Sequence, residues 1–353
     1  MKVLLTNANT SIGSHVLHEL SRQGHETVFA SPTPKSTSST LRLYKKFVTS
    51  TSNNTPPPKP ITIANPTHKG AFDAALKATS PPFDAIIHIH PPFRASPTDP
   101  EKDVLVPAID GTTSLLTSIR THAPQVKRVV LLSSTAAIIN AAAHRENYDE
   151  FSWNPITYEQ GLEPGLAYVA GVTLAEKSAW MFMRKKGPGF ALTTICAAPG
   201  FGPVVHVDEL GDGFGTVGGG GWSREGEILA LMDGKYKNAA MPDGGPYLWA
   251  DVRDVATAVV RALESGDAVN QRVLVAEGYW DSGGVVRALR EVEGGKFAGV
   301  VPGEDVVGGG GGGIGEGVFG FDNGKSRRVL GLEYRGLGES VRDTVESILA
   351  LRG

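Results

Sequence analysis

The sequence predicts an α/β protein: a doubly wound parallel sheet with helices on both faces, and a smaller C-terminal lobe over the sheet edge. Three observations predict it. Short β-branched runs alternate with helix-patterned segments through the first two hundred residues, the rhythm of parallel strands joined by crossover helices. The strands are near-continuous apolar runs, such as Arg128-Val129-Val130-Leu131-Leu132, as a sheet covered on both faces requires. After about Gly200 the rhythm gives way to glycine-rich stretches.

The elements follow in order. Residues 2–7 read as a buried strand, and Thr10 or Ser11 N-caps a helix to about Arg22. Gly24-His25 turns the chain into a second strand over 26–30. The Ser-, Thr- and Pro-rich stretch 31–60 reads mostly as loop, with a short helix over 41–46. A third strand spans 61–64 and a helix 69–77; a fourth strand covers 84–89 and a helix 101–122. A fifth strand over 126–132, a long helix over 166–186 and a sixth strand over 190–197 continue the series. Beyond it, 251–264 reads as helix, 272–275 as strand and 337–351 as a terminal helix. The glycine runs at 218–221 and 308–313 lack phosphate-loop spacing and read as surface loops.

Composition narrows the function classes. With 34 Lys+Arg against 37 Asp+Glu, the net charge of −3 speaks against a nucleic-acid binder. No run reaches the ~20 apolar residues that span a membrane, and the first six residues are too short an apolar run for a signal peptide. The single cysteine, Cys196, allows no intrachain disulfide and suits the reducing cytoplasm.

Sheets of this kind bind ligands beyond the carboxyl ends of their strands. The first strand leads there into Thr6-Asn7-Ala8-Asn9-Thr10-Ser11-Ile12-Gly13 and a helix, the position of a dinucleotide-binding turn, with one glycine where three are expected. The domain plan is a Rossmann-type domain over 1–200, completed by about 251–276, with 201–250 and 277–353 as the smaller substrate-binding lobe. The fifth strand ends in Ser133-Ser134-Thr135, and Tyr168 opens the long helix that follows. Converging at a sheet edge, a serine and a tyrosine can hold a carbonyl oxygen and move a proton. Taken from spacing alone, the plainer reading is a strand-end turn and a buried tyrosine.

Several segments together carry a resemblance through nearly the whole chain. They are Arg128-Val129-Val130-Leu131-Leu132-Ser133-Ser134, Ser152-Trp153-Asn154-Pro155, Ala167-Tyr168 followed by Leu174-Ala175-Glu176-Lys177-Ser178-Ala179-Trp180, Phe201-Gly202-Pro203, Asp251-Val252-Arg253-Asp254-Val255-Ala256 and Asp322-Asn323-Gly324-Lys325-Ser326. With these, the chain resembles an extended short-chain dehydrogenase/reductase, and more narrowly the dihydroflavonol-reductase-like ketone and aldehyde reductases. The resemblance implies that Ser134 polarises a substrate carbonyl, that Tyr168 delivers a proton and that NADPH supplies the hydride. It places the dinucleotide on Thr6, Asn7, Thr10, Ser11, Ile12 and Gly13, with Lys35 near the 2′-phosphate.

Departures from that pattern gather on the cofactor. The lysine four residues after the tyrosine is Val172; Lys177 belongs to the separate Ala-Glu-Lys match and does not replace it. Asn7 and Thr10 stand at glycine positions, Pro32 at the usual arginine, Asn65 at the adenine-side aspartate, and His90 at a small residue beside the cofactor. A threonine forced into αL costs roughly 1–2 kcal/mol, so the expectation is that NADP(H) is the cofactor, if any is used, and is held poorly. His88 and His90 alternate along a strand and share a face. His90 is a candidate proton shuttle, with space-filling as the plainer alternative; no third ligand makes the pair a metal site. Asp251, Arg253 and Asp254 read as a structural ion-pair cluster, Cys196 as inert, and Trp153, Trp222, Trp249 and Trp280 as candidate pocket walls, some of them simply core. No substrate or oligomeric state is legible.

Three functions remain. The first is a non-redox biosynthetic enzyme on a small carbonyl compound (isomerisation, dehydration, cyclisation or cycloaddition), with Ser134 and Tyr168 as donors and His90 as base. The alternatives are an active NADPH-dependent ketone or aldehyde reductase and a non-catalytic binding protein on the same fold.

Overall fold

The structure, a computed structural model, describes residues 1–48, 56–90, 97–205, 225–237, 247–303 and 318–352. The chain opens with β1 (Lys2–Leu5), α1 (Ser11–Arg22), β2 (Glu26–Ser31), α2 (Pro34–Val48), β3 (Lys59–Thr62), α3 (Asp73–Ala78) and β4 (Ala85–Ile89). A π-helical turn, Glu101–Leu105, runs into α4 (Val106–His122), then β5 (Arg128–Ser134), the two-residue β6 (Asn147–Tyr148), α5 (Ala167–Lys186), β7 (Ala191–Ala197) and β8 (Gly200–Phe201). The remainder is α6 (Glu225–Met232), β9 (Tyr247–Asp251), α7 (Val252–Glu264), β10 (Arg272–Val275), β11 (Gly278–Trp280), α8 (Ser282–Glu291), β12 (Gly320–Phe321), α9 (Gly324–Leu330) and α10 (Leu337–Arg352). The glycine runs and Trp222 lie outside the described residues.

Seven strands form one parallel sheet in the order β10-β7-β5-β4-β1-β2-β3. The predicted doubly wound Rossmann-type fold is the observed one. The order reverses between β1 and β4, whose register pairs Leu5 with Ile87, and a crevice at such a reversal is where these sheets take ligands. On one face Val16, Leu17 and Leu20 of α1 meet Val255 and Val259 of α7 above Leu5, Ile87 and Leu132. On the other, Leu115 and Ile119 of α4 and Ala179 of α5 cover Leu4, Ile86 and Leu131. Each such fully buried Leu, Ile or Val adds ~1.5–3 kcal/mol of transfer free energy. A further apolar cluster joins Phe201 and Trp249 to α6, α8 and α10.

Local chemistry sets the helix ends. Thr10 caps α1 and Asp251 caps α7, accepting from the Arg253 amide at 2.8 Å. Gly187, at φ +48°, stops α5 in a left-handed turn. The expected loop over 31–60 is corrected by α2, fifteen residues long. Pro34 suits its first turn, and Thr37, Ser38 and Thr40 bond back to the carbonyls of Thr33, Pro34 and Ser36. Hydroxyl residues that signal a loop by composition are thereby accommodated in a helix.

Candidate active site

Four elements bring their ends to the crevice: β1, β4, β5 and α5. Thr6, just past β1, is buried, and its hydroxyl accepts from the Ile89 amide at 3.1 Å. It lies 2.9 Å from Nδ1 of His88, whose Nε2 is 3.2 Å from the Thr112 hydroxyl. Thr112 gives its own proton to the Ala108 carbonyl, so it accepts from His88 Nε2–H, and Nδ1 accepts from Thr6. His88 is thus a neutral, fully bonded tie between β1, β4 and α4. Burial, then the neighbouring His90, pushes it down to about 3.

The turn after β1 is built without the expected glycines. Asn7 takes φ +52° itself and donates its side-chain amide to the Ile89 carbonyl at 2.7 Å; asparagine tolerates αL because its short polar chain bonds locally. Thr10 corrects the expected strain. Its backbone is extended, at φ −93°, and carries no left-handed penalty. Its hydroxyl donates to the Asn7 carbonyl at 2.8 Å and accepts from the Gly13 amide at 3.1 Å. Gly13 is obligatory, since a Cβ there would lie 2.1 Å from the Asn7 carbonyl oxygen. Ser11 and Ile12 form the first turn of α1, aimed at the crevice. Helix N-termini of this kind hold phosphates through backbone N–H groups and the helix dipole. Lys35 is exposed in the first turn of α2, just beyond β2. Asn65 is committed to a turn, accepting from the Thr67 amide and hydroxyl.

Ser134 ends β5 opposite Ala197 and is 3 % exposed. Its Oγ accepts from the Ala136 amide at 3.1 Å. Tyr168 stands in the first turn of α5 near Ser134; burial raises its phenol well above the usual value, and Ser134 only partly offsets the rise. Val172, one turn later, is buried and brings no charge. Lys177 points elsewhere, donating to the Asn154 carbonyl at 2.9 Å and lying over the Trp153 ring. His90 follows β4 and is 5 % exposed. Neither ring nitrogen has a hydrogen-bond partner among the described residues. Burial pushes it down to about 4, against the pull of Glu176.

The loop that follows Ser134 is held from behind by residues the sequence reading did not assign to the site. Asn154 donates to the carbonyls of Ala136 and Ile139 at 3.0 and 2.7 Å. Arg272 donates to the carbonyls of Ala137, Glu150 and Ser152 and pairs with Glu176 at 2.7 Å. Glu176 also accepts from Ser133 and Thr194 at 2.6 and 2.7 Å. Burial opposes its charge, but Arg272 and these hydroxyls outweigh burial and hold it below the usual carboxylate range. Cys196 lies against the same carboxylate, its Sγ 3.5 Å from Oε2. The Asp251 cluster is structural as expected: Arg253 bonds Asp251 and Asp343, and Arg335 bonds Asp254. Trp249 and Trp280 are the core members of the set, packed on Phe201, while Trp153 stacks under Arg272 and lines a surface pocket with Phe151, Trp180 and Lys325. Among the described residues no cluster of three or more His, Cys, Asp or Glu could hold a metal, and no helix is long and apolar enough to cross a membrane.

Residues 3–158 match the family described as the NAD dependent epimerase/dehydratase family. The chain is 36 % identical to the ketoreductase azaE of Aspergillus niger over 354 residues, covering 99 % of this chain and 97 % of that one. It belongs to the NAD dependent epimerase/dehydratase family, the extended short-chain dehydrogenases/reductases. The crystal structure of yeast methylglyoxal/isovaleraldehyde reductase Gre2 complexed with NADPH superposes with a TM-score of 0.84, at 27 % identity over 100 % of this chain and 99 % of that one. Gre2 of Candida albicans in complex with NADPH superposes at 0.85, with 29 % identity over the whole of both chains. Within this extended reductase family, the relatives' names speak for the reductase alternative rather than the non-redox reading that the substitutions suggest. Their NADPH complexes speak against the expectation of poor cofactor binding.

Proposed function

We propose that the chain reduces the carbonyl group of a small ketone or aldehyde with NADPH. One observation carries the proposal: the Ser134 hydroxyl at the end of β5 and the buried Tyr168 hydroxyl at the start of α5 lie close enough for Ser134 to act on the phenol, beside the sheet's reversal point. The donor set suits the cofactor. The N-terminus of α1, with Thr6, Asn7, Thr10, Ser11, Ile12 and Gly13 around it, offers backbone donors to a pyrophosphate. Lys35 offers a cation to a further phosphate at the carboxyl end of β2. NADPH, when bound, supplies the hydride that the carbonyl carbon accepts.

The chain's own residues handle the oxygen. Ser134 and Tyr168 donate to the carbonyl oxygen and stabilise the negative charge that grows there. Tyr168 then passes its proton to that oxygen, completing the alcohol. The buried phenol stays protonated across the physiological range, as this acid role needs. The test is to titrate the protein with NADPH by calorimetry, then follow carbonyl-dependent NADPH oxidation over a panel of small ketones and aldehydes. Wild type is expected to consume NADPH, and Tyr168→Phe to lower kcat by about 10²–10⁴-fold with NADPH binding unchanged. Equal rates in the two proteins would sink the role of Tyr168.

Val172 favours a second reading. With no cation beside the phenol among the described residues, the Ser134–Tyr168 pair suits polarising a carbonyl for isomerisation, dehydration, cyclisation or cycloaddition, with no hydride transferred. Absence of NADPH binding at millimolar concentration would bring this reading forward.

A further inference from the structure

The two buried histidines at the end of β4 differ in how their rings are satisfied. His88, two residues earlier, has a partner on each ring nitrogen; His90 has a partner on neither among the described residues. A buried polar group left unpaired costs ~1–3 kcal/mol, and native folds seldom keep one unless something outside the protein completes it. Its place says where that partner lies. β4 runs between β1 and β5, pairing Leu5 with Ile87 on one side and Ile89 with Leu132 on the other. Directly after β4, His90 therefore stands between the N-terminus of α1 and the Ser134–Tyr168 pair.

The chemistry of the ring says what the partner is. A neutral imidazole offers one N–H donor and one lone-pair acceptor. A phosphate oxygen satisfies only the first and is repelled by the second. A hydroxyl satisfies either and complements the pair. On the reductase reading, from which this inference follows, the bound molecule carries sugar hydroxyls between its phosphates and its reacting end. We propose that His90 is a ligand-contacting residue, exchanging hydrogen bonds with a sugar hydroxyl of the dinucleotide on the side facing Ser134 and Tyr168. Glu176, whose charge pulls on the ring, is itself bound to Arg272, Ser133 and Thr194, so the imidazole is left for the ligand.

The experiment is calorimetric titration with NADP⁺ of wild type, His90→Phe and His90→Gln, with ring-¹⁵N spectra of histidine-labelled wild type recorded over the same titration. Phenylalanine keeps the bulk and removes both nitrogens; glutamine keeps a donor and an acceptor. Expected are a Kd at least about tenfold weaker for His90→Phe, about 1.4 kcal/mol, recovery to within about threefold for His90→Gln, and displaced His90 ring signals in wild type. The wild-type spectra serve if a variant misfolds. A His90→Phe protein that binds as tightly as wild type or tighter, or His90 signals that stay still while NADP⁺ binds, would show a ring that only fills space. Failure of wild type to bind NADP⁺ at millimolar concentration overturns the reductase reading and this inference together; binding that ignores His90 overturns the inference alone.

Discussion

Val172 and Tyr168 share a stripe of α5, and with an uncharged side chain at 172 burial governs how the phenol titrates. Burial raises it, and among the described residues no cation draws it back. The neutral phenol is a ready acid and a poor base, so the two directions of the reaction should part with pH. Carbonyl reduction is expected to stay level between about pH 6 and 9, while oxidation of the product alcohol with NADP⁺ climbs without a plateau below about pH 10. An oxidation plateau near neutrality would reveal another base. Val172→Lys places an ammonium one turn from the phenol and should bring the oxidation profile down by about one pH unit or more, with a rise in rate of about tenfold. The same change buries a charge in place of a valine, so the melting temperature should fall. A pH–rate series and a thermal melt on one preparation check both.

At the level of elements, α1 presents a trade between cap and ligand. The Thr10 hydroxyl occupies the Gly13 amide, a donor that an anion at the same helix end would share. Replacing a threonine cap by glycine costs only a few tenths of a kcal/mol. Thr10→Gly is therefore expected to melt within a few degrees of wild type and to bind NADPH about tenfold more tightly, as calorimetry would show; unchanged affinity would mean that the bound phosphates never approach this turn. The strands around this helix were legible because their apolar runs are continuous and their ends are marked by polar, turn-forming residues. α2 was not, because its Ser and Thr hydroxyls bond to their own helix rather than announcing it. Ser134 and Tyr168 were reached through the family resemblance, since their spacing alone reads more plainly as a strand-end turn and a buried tyrosine. Arg272 could not be placed: it meets Glu176 across 96 residues and the Ala137 carbonyl across 135, and no local periodicity reports so distant a pairing.

On the scale of the whole molecule, buried histidines tie stability to pH. His15 and His90 are pushed down to about 4 and His88 to about 3, each chiefly by burial. In the unfolded chain they titrate near 6.5. Between those values the unfolded state binds protons that the folded state refuses, so stability is complete above about pH 6.5 and declines as the pH falls towards 4. Each of the three contributes a slope of up to ~1.4 kcal/mol per pH unit. Urea midpoints at about pH 7 and pH 5 should differ markedly, and a flat profile would show that these rings gain charge without unfolding. The Glu176–Arg272 pair binds the Ser134 loop, α5 and β10 into one body; Glu176→Ala, which strands a buried guanidinium, should cost ~3–5 kcal/mol in the same urea experiment. Cys196 offers a way to watch that body come apart. Its thiol is fully buried, and burial and the Glu176 carboxylate suppress its ionisation. An alkylating reagent will reach it only in molecules whose sheet has opened. Because the chain has no other cysteine, the rate of mass increase by one label in native buffer reports how readily each variant opens, with neither denaturant nor an engineered cysteine.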